Sequence, residues 1–176
     1  MVVVVMGVAG AGKTTVGRPL ASELSLPFFD ADDFHSERNR EKMAAGIALT
    51  EEDRRPWLLE LARNIAVWEA EGGAVLACSA LRRRHREILG DAAPGHVVFV
   101  FLDADPEVIH ARLARRRGHY MPASLIDSQL EALERPAPEE AITIRADGTP
   151  AETARSIVDR LQAEGSSNKG AQGRDQ

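Results

Sequence analysis

Residues 7–14 read GVAGAGKT, and this stretch decides the fold of the 176-residue chain. It follows the apolar run of residues 2–6 and precedes a segment with helical periodicity. The spacing G-x-x-x-x-G-K-[ST] is that of a phosphate-binding P-loop. Glycines allow the backbone to come close to an anion, and the N–H groups of the loop and of the following helix then face the phosphate oxygens. The sequence therefore predicts a nucleoside triphosphate site.

The residues of this loop have separate predicted tasks. Lys13 brings a positive charge to the β- and γ-phosphates, and the hydroxyl of Thr14 suits a Mg²⁺ ligand. We expect the nucleotide to contact nine consecutive residues: Gly7, Val8, Ala9, Gly10, Ala11, Gly12, Lys13, Thr14 and Thr15.

Composition limits the classes of protein to which the chain can belong. Hydrophobic residues make up 44% and charged residues 28%, which fits one ordinary globular domain. The net charge of −5 gives no general attraction to nucleic acid, so local arginines or lysines must hold any anionic substrate. The single cysteine, Cys78, suits a reducing compartment, and we expect a cytoplasmic protein. No stretch resembles a signal peptide or a membrane span, so we expect no membrane association.

Five segments with strand character alternate with helical segments along the chain. This order predicts an α/β fold, a doubly wound five-stranded parallel sheet flanked by helices, with the ligand crevice at the carboxyl ends of the strands. The strands are expected at residues 2–6, 27–30, 74–78, 97–102 and 141–145. We expect one kinase-like domain over residues 1–163, with residues 115–121 as a lid and residues 164–176 as a disordered tail.

Several helix boundaries follow from capping and proline patterns. Residues 50–53 and 149–152 have the form of helix N-termini, and the second should open a final helix to about Leu161. Pro56 suits the first turn of a new helix. Pro19 should break one hydrogen bond of the first helix and kink it, at a cost of about 3 kcal/mol.

Three acidic residues follow the second strand and are candidates for acceptor chemistry. Transfer of a phosphoryl group to a hydroxyl needs a carboxylate near that hydroxyl. In an extended segment, Asp30 and Asp32 would share one side, with Asp33 as their neighbour. A polar loop with capping acids is the alternative, and the position at a strand end beside a P-loop favours the catalytic interpretation.

Beyond the P-loop, several segments together resemble the gluconate kinase (gluconokinase) family, P-loop small-molecule kinases related to shikimate kinase. The resemblance covers about residues 2–161 and rests on FDADDFH at 29–35, DRRPWL at 53–58, CSALR at 78–82 and GHYM at 118–121. It implies the reaction of ATP with D-gluconate to give 6-phosphogluconate and ADP, with Mg²⁺. It also implies a homodimer.

The same resemblance implies roles for individual residues. Asp32 would accept or orient the proton of the 6-hydroxyl, and Asp30 would help Thr14 hold Mg²⁺. Lys13 and Arg116 would contact the transferring phosphoryl group, while Arg112 would lie along the adenine. Residues implied to bind the acceptor are Asp32, His35, Arg54, Ser79, Ala80, Arg82, His119 and Gln129.

Other functions stay open from the sequence. A shikimate kinase would carry a Gly-Gly-Gly turn after the third strand, where this chain has Ser79-Ala80-Leu81. A nucleoside-monophosphate kinase is a weaker alternative, and a regulatory NTPase switch belongs to a different class. The switch predicts slow nucleotide hydrolysis that no sugar acid changes.

Overall fold

The sheet of this computed structural model is built from five strands. The structure describes residues 1–114 and 123–171, without the side chains of residues 123–125 and 165–171. The strands are β1 (Val2–Met6), β2 (Phe28–Asp30), β3 (Ala74–Cys78), β4 (Val97–Asp103) and β5 (Ile142–Arg145). All neighbouring pairs are parallel, in the order β2-β3-β1-β4-β5. The predicted doubly wound parallel sheet is therefore confirmed.

Helices connect the strands in the described parts of the chain. They are α1 (Lys13–Leu24), the short 3₁₀ helix η1 (Ala31–Phe34), α2 (Glu37–Ala44), α3 (Glu51–Ala70), α4 (Arg83–Gly90), α5 (Pro106–Ala114), α6 (Ala123–Ala132) and α7 (Pro150–Ala171). No helix in the described ranges combines the length and the apolar character that crossing a membrane requires.

Strand β1 lies in the centre of the sheet and forms part of the core on both of its faces. All five of its side chains are buried. Val3 and Val5 belong to the apolar cluster that includes side chains of α1 and α7, whereas Val2 and Val4 belong to the cluster built on α3. Because side chains alternate along a strand, an all-apolar run is what two covered faces require. The P-loop thus leaves the best-buried strand of the fold.

Helix α3 begins earlier than its proline suggested. Thr50 and Asp53 form a reciprocal capping box, in which each side chain accepts the other residue's backbone N–H. The helix then continues from Glu51 through Pro56, so the prediction that Pro56 begins a new helix is wrong. The capping box and three acidic residues in the first turn stabilise the earlier start, and the proline removes one backbone hydrogen bond near that end.

Two other helices differ in length or continuity from what the sequence suggested. Helix α1 continues through Pro19 to Leu24. Helix α7 opens at the predicted Thr149–Glu152 capping box but runs to Ala171, past the expected end at Leu161. Residues 164–171 of the predicted tail are therefore helical, and residues 172–176 lie outside the described residues. Extending an existing helix costs little per residue, and each of the two glycines in this extension, Gly165 and Gly170, costs about 1 kcal/mol.

Candidate active site

The P-loop has the left-handed backbone that its glycines permit. Gly7, Gly10 and Gly12 have φ values of +146°, +82° and +103°. A Cβ atom on Gly10 would lie 2.9 Å from the side chain of Leu113 in α5, so space as well as φ requires glycine there. Lys13 Nζ donates to the carbonyl oxygen of Val8 at 3.0 Å, which folds the lysine side chain back over the loop.

The Thr14 hydroxyl and the Asp30 carboxylate meet at the end of the P-loop. Thr14 Oγ1 donates to Asp30 Oδ2 at 2.8 Å, across the gap between α1 and β2. The other carboxylate oxygen, Oδ1, accepts the backbone N–H of Asp32 at 3.2 Å. Asp30 therefore joins the P-loop helix to the loop that carries the proposed base.

Asp32 stands in η1 rather than in an extended segment, so the expected alternation of side chains with Asp30 does not apply. The Asp30 side chain caps this short helix and turns the backbone. The Asp32 carboxylate nevertheless lies where the charges of both Asp30 and Lys13 act on it. Its pKa is raised, first because nearby protein atoms displace water and second because Asp30 is negative, while Lys13 acts in the opposite direction. The side chain itself is 83% exposed, so solvent weakens these effects and a substrate can reach the carboxylate.

His35 follows η1 and is buried against Trp57. The two rings stack with centroids 4.4 Å apart, and the indole Nε1 of Trp57 donates to the carbonyl oxygen of Ala31 at 2.8 Å. His35 Nε2 lies 4.0 Å from Asp32 Oδ1, and its Nδ1 is buried without a hydrogen-bond partner among the described residues. Burial, then the charges of Arg54 and Arg40, lower the pKa of His35 to about 4, so this imidazole is neutral at pH 7.

Arg54 and Arg82 converge on Glu51, the first residue of α3. The Arg54 Nη1 and Arg82 Nε atoms each lie 3.4 Å from Glu51 Oε1. Asp53, the residue before Arg54, binds Lys42 Nζ at 2.7 Å. The predicted acceptor residues Arg54 and Arg82 are thus brought together, by an acid that the sequence did not single out.

The turn after β3 is held by a buried arginine. Ala80 has φ of +42°, which is unfavourable for a residue with a Cβ, and its side chain is fully buried. Arg86 Nη1 donates to the carbonyl oxygens of Ala80 and Glu134 at 3.3 and 3.1 Å, and its Nη2 binds Glu140 at 3.1 Å. The carbonyl oxygen of Ser79 accepts the N–H of Gly7 at 3.3 Å, so this turn also adjoins the P-loop.

Two predicted residues contact the P-loop from other elements. Arg112 donates to the carbonyl oxygens of Ala11 and Ala146 at 3.2 and 2.6 Å. The side-chain oxygen of Gln129 accepts the N–H of Ala9 at 2.7 Å. Gln129 was expected at the acceptor. The structure instead places its side chain against the P-loop, at Ala9, which lies 120 residues earlier in the sequence. Thr15 is exposed on the first turn of α1.

Arg116, His119 and the predicted lid at 115–121 lie outside the described residues. The contacts of Glu51 and Gln129 were not found from the sequence. Both depend on how distant helices pack, and neither position shows a local pattern that would have revealed it.

The donor set fits a hard divalent cation with few protein ligands. Thr14 and Asp30 offer a hydroxyl and a carboxylate oxygen 2.8 Å apart, and Mg²⁺ takes one or two protein oxygens together with waters and phosphates. Among the described residues no group of three or more His, Cys, Asp or Glu forms a metal cage. Cys78 is fully buried, and burial raises the pKa of its thiol to about 12, so it is not a nucleophile.

Comparisons with known proteins agree with the observed fold. Residues 9–162 match the family model described as shikimate kinase. The thermosensitive gluconokinase of Escherichia coli (strain K12) is 44% identical over 145 residues, which cover 82% of this chain and 77% of that protein. A solved gluconokinase structure from Sinorhizobium meliloti 1021 has a TM-score of 0.87 at 38% identity, covering 98% of this chain and 97% of that one. The shikimate kinase of Aquifex aeolicus vf5 has a TM-score of 0.60 at 19% identity over 94% of this chain and 98% of that one, a likeness of fold alone.

Proposed function

The chain belongs to the gluconokinase family of P-loop kinases, and from that premise we propose that it transfers the γ-phosphoryl group of ATP to the 6-hydroxyl of D-gluconate. The observation that carries this proposal is a run of charged and polar side chains that act on one another from the P-loop to a pair of arginines. Asp32 lies within the electrostatic reach of Lys13, and His35 lies 4.0 Å from Asp32 and within the reach of Arg54. A hydroxy acid would bind along these side chains, with its hydroxyl near Asp32 and its carboxylate near the arginines.

Nucleotide binding is the task of the P-loop in this proposal. The N–H groups of residues 7–15 and the amino end of α1 would surround the phosphates, and Lys13 would release the Val8 carbonyl to reach them. Arg112, which already bridges Ala11 and Ala146, would close the nucleotide side. Thr14 and Asp30 would hold Mg²⁺, which when bound neutralises charge on the phosphates.

Acceptor activation is the task of Asp32. A loose phosphoryl-transfer transition state needs the attacking hydroxyl to be oriented, with its proton accepted as the new bond forms. The hydrogen bond that the Asp32 N–H donates to the Asp30 carboxylate fixes the backbone at this point. The neutral imidazole of His35 lies beside the Asp32 carboxylate. His35 can therefore hydrogen-bond a sugar hydroxyl without adding charge.

Binding of the acceptor carboxylate is the task of Arg54, with Arg82 beside it. A guanidinium offers two parallel donors to a carboxylate. Burial lowers the pKa of Arg54, while Glu51 acts in the opposite direction, and at neutral pH the group stays charged. Ser79 and the backbone of the adjoining turn would line the same pocket. Arg116 and His119 keep the roles that the resemblance implies as predictions.

One assay tests the function. ADP release is measured with ATP and Mg²⁺ against gluconate, shikimate and a nucleoside monophosphate, each at the same concentration. We expect turnover with gluconate well above the rate of ATP hydrolysis without acceptor. Turnover with shikimate alone, or hydrolysis that no acceptor changes, would contradict the proposal. The cytoplasmic location and the homodimer stay predictions, and light scattering tests the second.

A further inference from the structure

Four basic side chains surround the carboxylate of Glu51. Oε1 lies 3.4 Å from Arg54 Nη1 and 3.4 Å from Arg82 Nε. Oε2 lies 3.0 Å from His85 Nε2 and also contacts Arg84 Nη2. Glu51 comes from α3, Arg84 and His85 come from α4, and Arg82 immediately precedes α4, so the cluster forms where the two helices pack together.

The cluster carries an excess of positive charge. Burial acts to raise the pKa of Glu51, but the His85 hydrogen bond and the neighbouring cations outweigh it, so the pKa is lowered and the group is a carboxylate. Burial lowers the pKa of His85, which is therefore neutral at pH 7 and donates Nε2–H to Glu51. Among the described residues, three guanidinium groups thus face the Glu51 carboxylate, and Asp53, which also acts on Arg54, is itself paired with Lys42.

Two of these guanidinium groups are the ones assigned above to the acceptor carboxylate. A bound anion would therefore share Arg54 and Arg82 with Glu51, and the two negative groups would repel each other. This repulsion grows with the charge of the incoming anion, so it acts about twice as strongly on a dianion as on a monoanion at the same distance.

We propose that Glu51 tunes the charge selectivity of the acceptor site: its fixed carboxylate offsets part of the positive charge of Arg54 and Arg82, so that small dianions compete less strongly with a monoanionic sugar acid. This inference rests on the proposed function, because it takes the acceptor's carboxylate to bind at these arginines. Sulfate is the probe, since it is a dianion that offers charge without the hydroxyl groups of a sugar acid.

The experiment compares the parent chain with Glu51→Gln, which removes the charge and keeps the size. The gluconate KM and the inhibition constant of sodium sulfate competing with gluconate are measured at saturating ATP, with ionic strength held constant by sodium chloride. Competition of sulfate against ATP is measured separately, because the P-loop also binds such anions. We expect the gluconate KM to fall about threefold and the inhibition constant of sulfate to fall about tenfold. Doubling the charge of the anion doubles the change in its binding free energy, and this squares the fold-change in its binding constant.

Glu52→Gln is the matched control. It makes the same change of charge one position further along α3, on a side chain that is exposed. We expect both constants to stay within about twofold of the parent, because exposed charges are largely screened. A sulfate constant that falls equally in both variants would contradict a specific role of Glu51.

The inference is overturned if the inhibition constant of sulfate in Glu51→Gln is unchanged or raised, or if it falls no more than the gluconate KM does. Either result leaves the proposed function intact. A parent chain without gluconate turnover overturns both. Should Glu51→Gln not fold, Glu51→Asp is used, which keeps the charge but withdraws it by one methylene. The sulfate constant should then fall by about threefold, still more than the gluconate KM, and an unchanged constant again overturns the inference.

Discussion

Replacement of Asp32 by asparagine tests the proposed chemistry most directly. Asparagine keeps an oxygen acceptor in the same place but cannot take up a proton. We expect kcat for gluconate phosphorylation to fall by about 10²–10⁴-fold, the range for loss of a positioned base. This fall corresponds to about 3–5 kcal/mol of transition-state stabilisation.

The structure separates this chemical effect from an effect on folding. The backbone N–H of Asp32 donates to the Asp30 carboxylate, and the substitution leaves this hydrogen bond in place. The Asp32 side chain is 83% exposed, and Nε2 of the neutral His35 imidazole lies 4.0 Å from its Oδ1. The free energy of unfolding should therefore change by less than about 0.5 kcal/mol. The KM for ATP should also be retained, since the substitution does not alter the P-loop.

The assay is ADP release under gluconate and ATP saturation, with unfolding followed by circular dichroism in urea. Asp33→Asn is the matched control, because Asp33 is the adjacent exposed acid and is expected to keep the parent rate. In the parent, kcat should decline as pH falls, starting at a higher pH than for an ordinary aspartate because the pKa of Asp32 is raised. A parent rate in Asp32→Asn, or an equal loss in Asp33→Asn, would refute the assignment.

Three further predictions concern the cations and the histidine. Arg54→Lys should raise the gluconate KM by about tenfold with the ATP KM unchanged, because a lysine loses the two-pronged contact; equal changes in both KM values would contradict this role. Arg86→Met should lower the free energy of unfolding by about 3 kcal/mol in urea titrations, because buried carbonyl oxygens and Glu140 lose their donor. Arg83 is an exposed residue whose Nε lies 2.6 Å from the same Glu140, so the control Arg83→Met should cost less than about 1 kcal/mol. His35 has a folded pKa of about 4 against an ordinary value of 6.5, so its contribution to stability is complete above pH 6.5 and is lost as pH falls toward 4. Between pH 6.5 and 4, the free energy of unfolding of His35→Phe should therefore fall by about 1–3 kcal/mol less than that of the parent. An unchanged pH dependence would show that another group causes the loss.

The sheet and its nucleotide loop could be predicted because their signals are local. The apolar run of β1 has no polar side for water, so it can only be a strand covered on both faces. The left-handed glycines of the P-loop also follow from their spacing. The start of α3 shows the limit of such patterns, since Pro56 and the Thr50–Asp53 box both suggest a helix start and only the second one is used.

The acceptor side was predicted as a set of residues but not as an arrangement. Asp32 was predicted because it follows a strand beside a P-loop, and His35 was predicted because its segment resembles the gluconate kinase family. Their surroundings depend on contacts across the sequence, such as Trp57 with Ala31 or Gln129 with Ala9. Glu51 stands in an ordinary acidic first turn of a helix, and only the packing of α3 with α4 makes it the centre of a cluster of basic side chains.

The stacking of Trp57 on His35 gives the protein an optical reporter at its proposed acceptor site. The chain has two tryptophans, and the second, Trp68, stacks on Phe29 with ring centroids 4.1 Å apart. Indole emission responds to a ring in van der Waals contact, and a protonated imidazole quenches it. In a Trp68→Phe background, fluorescence would therefore follow the surroundings of His35 alone. Gluconate could then be titrated in the absence of ATP, which separates its binding from its turnover.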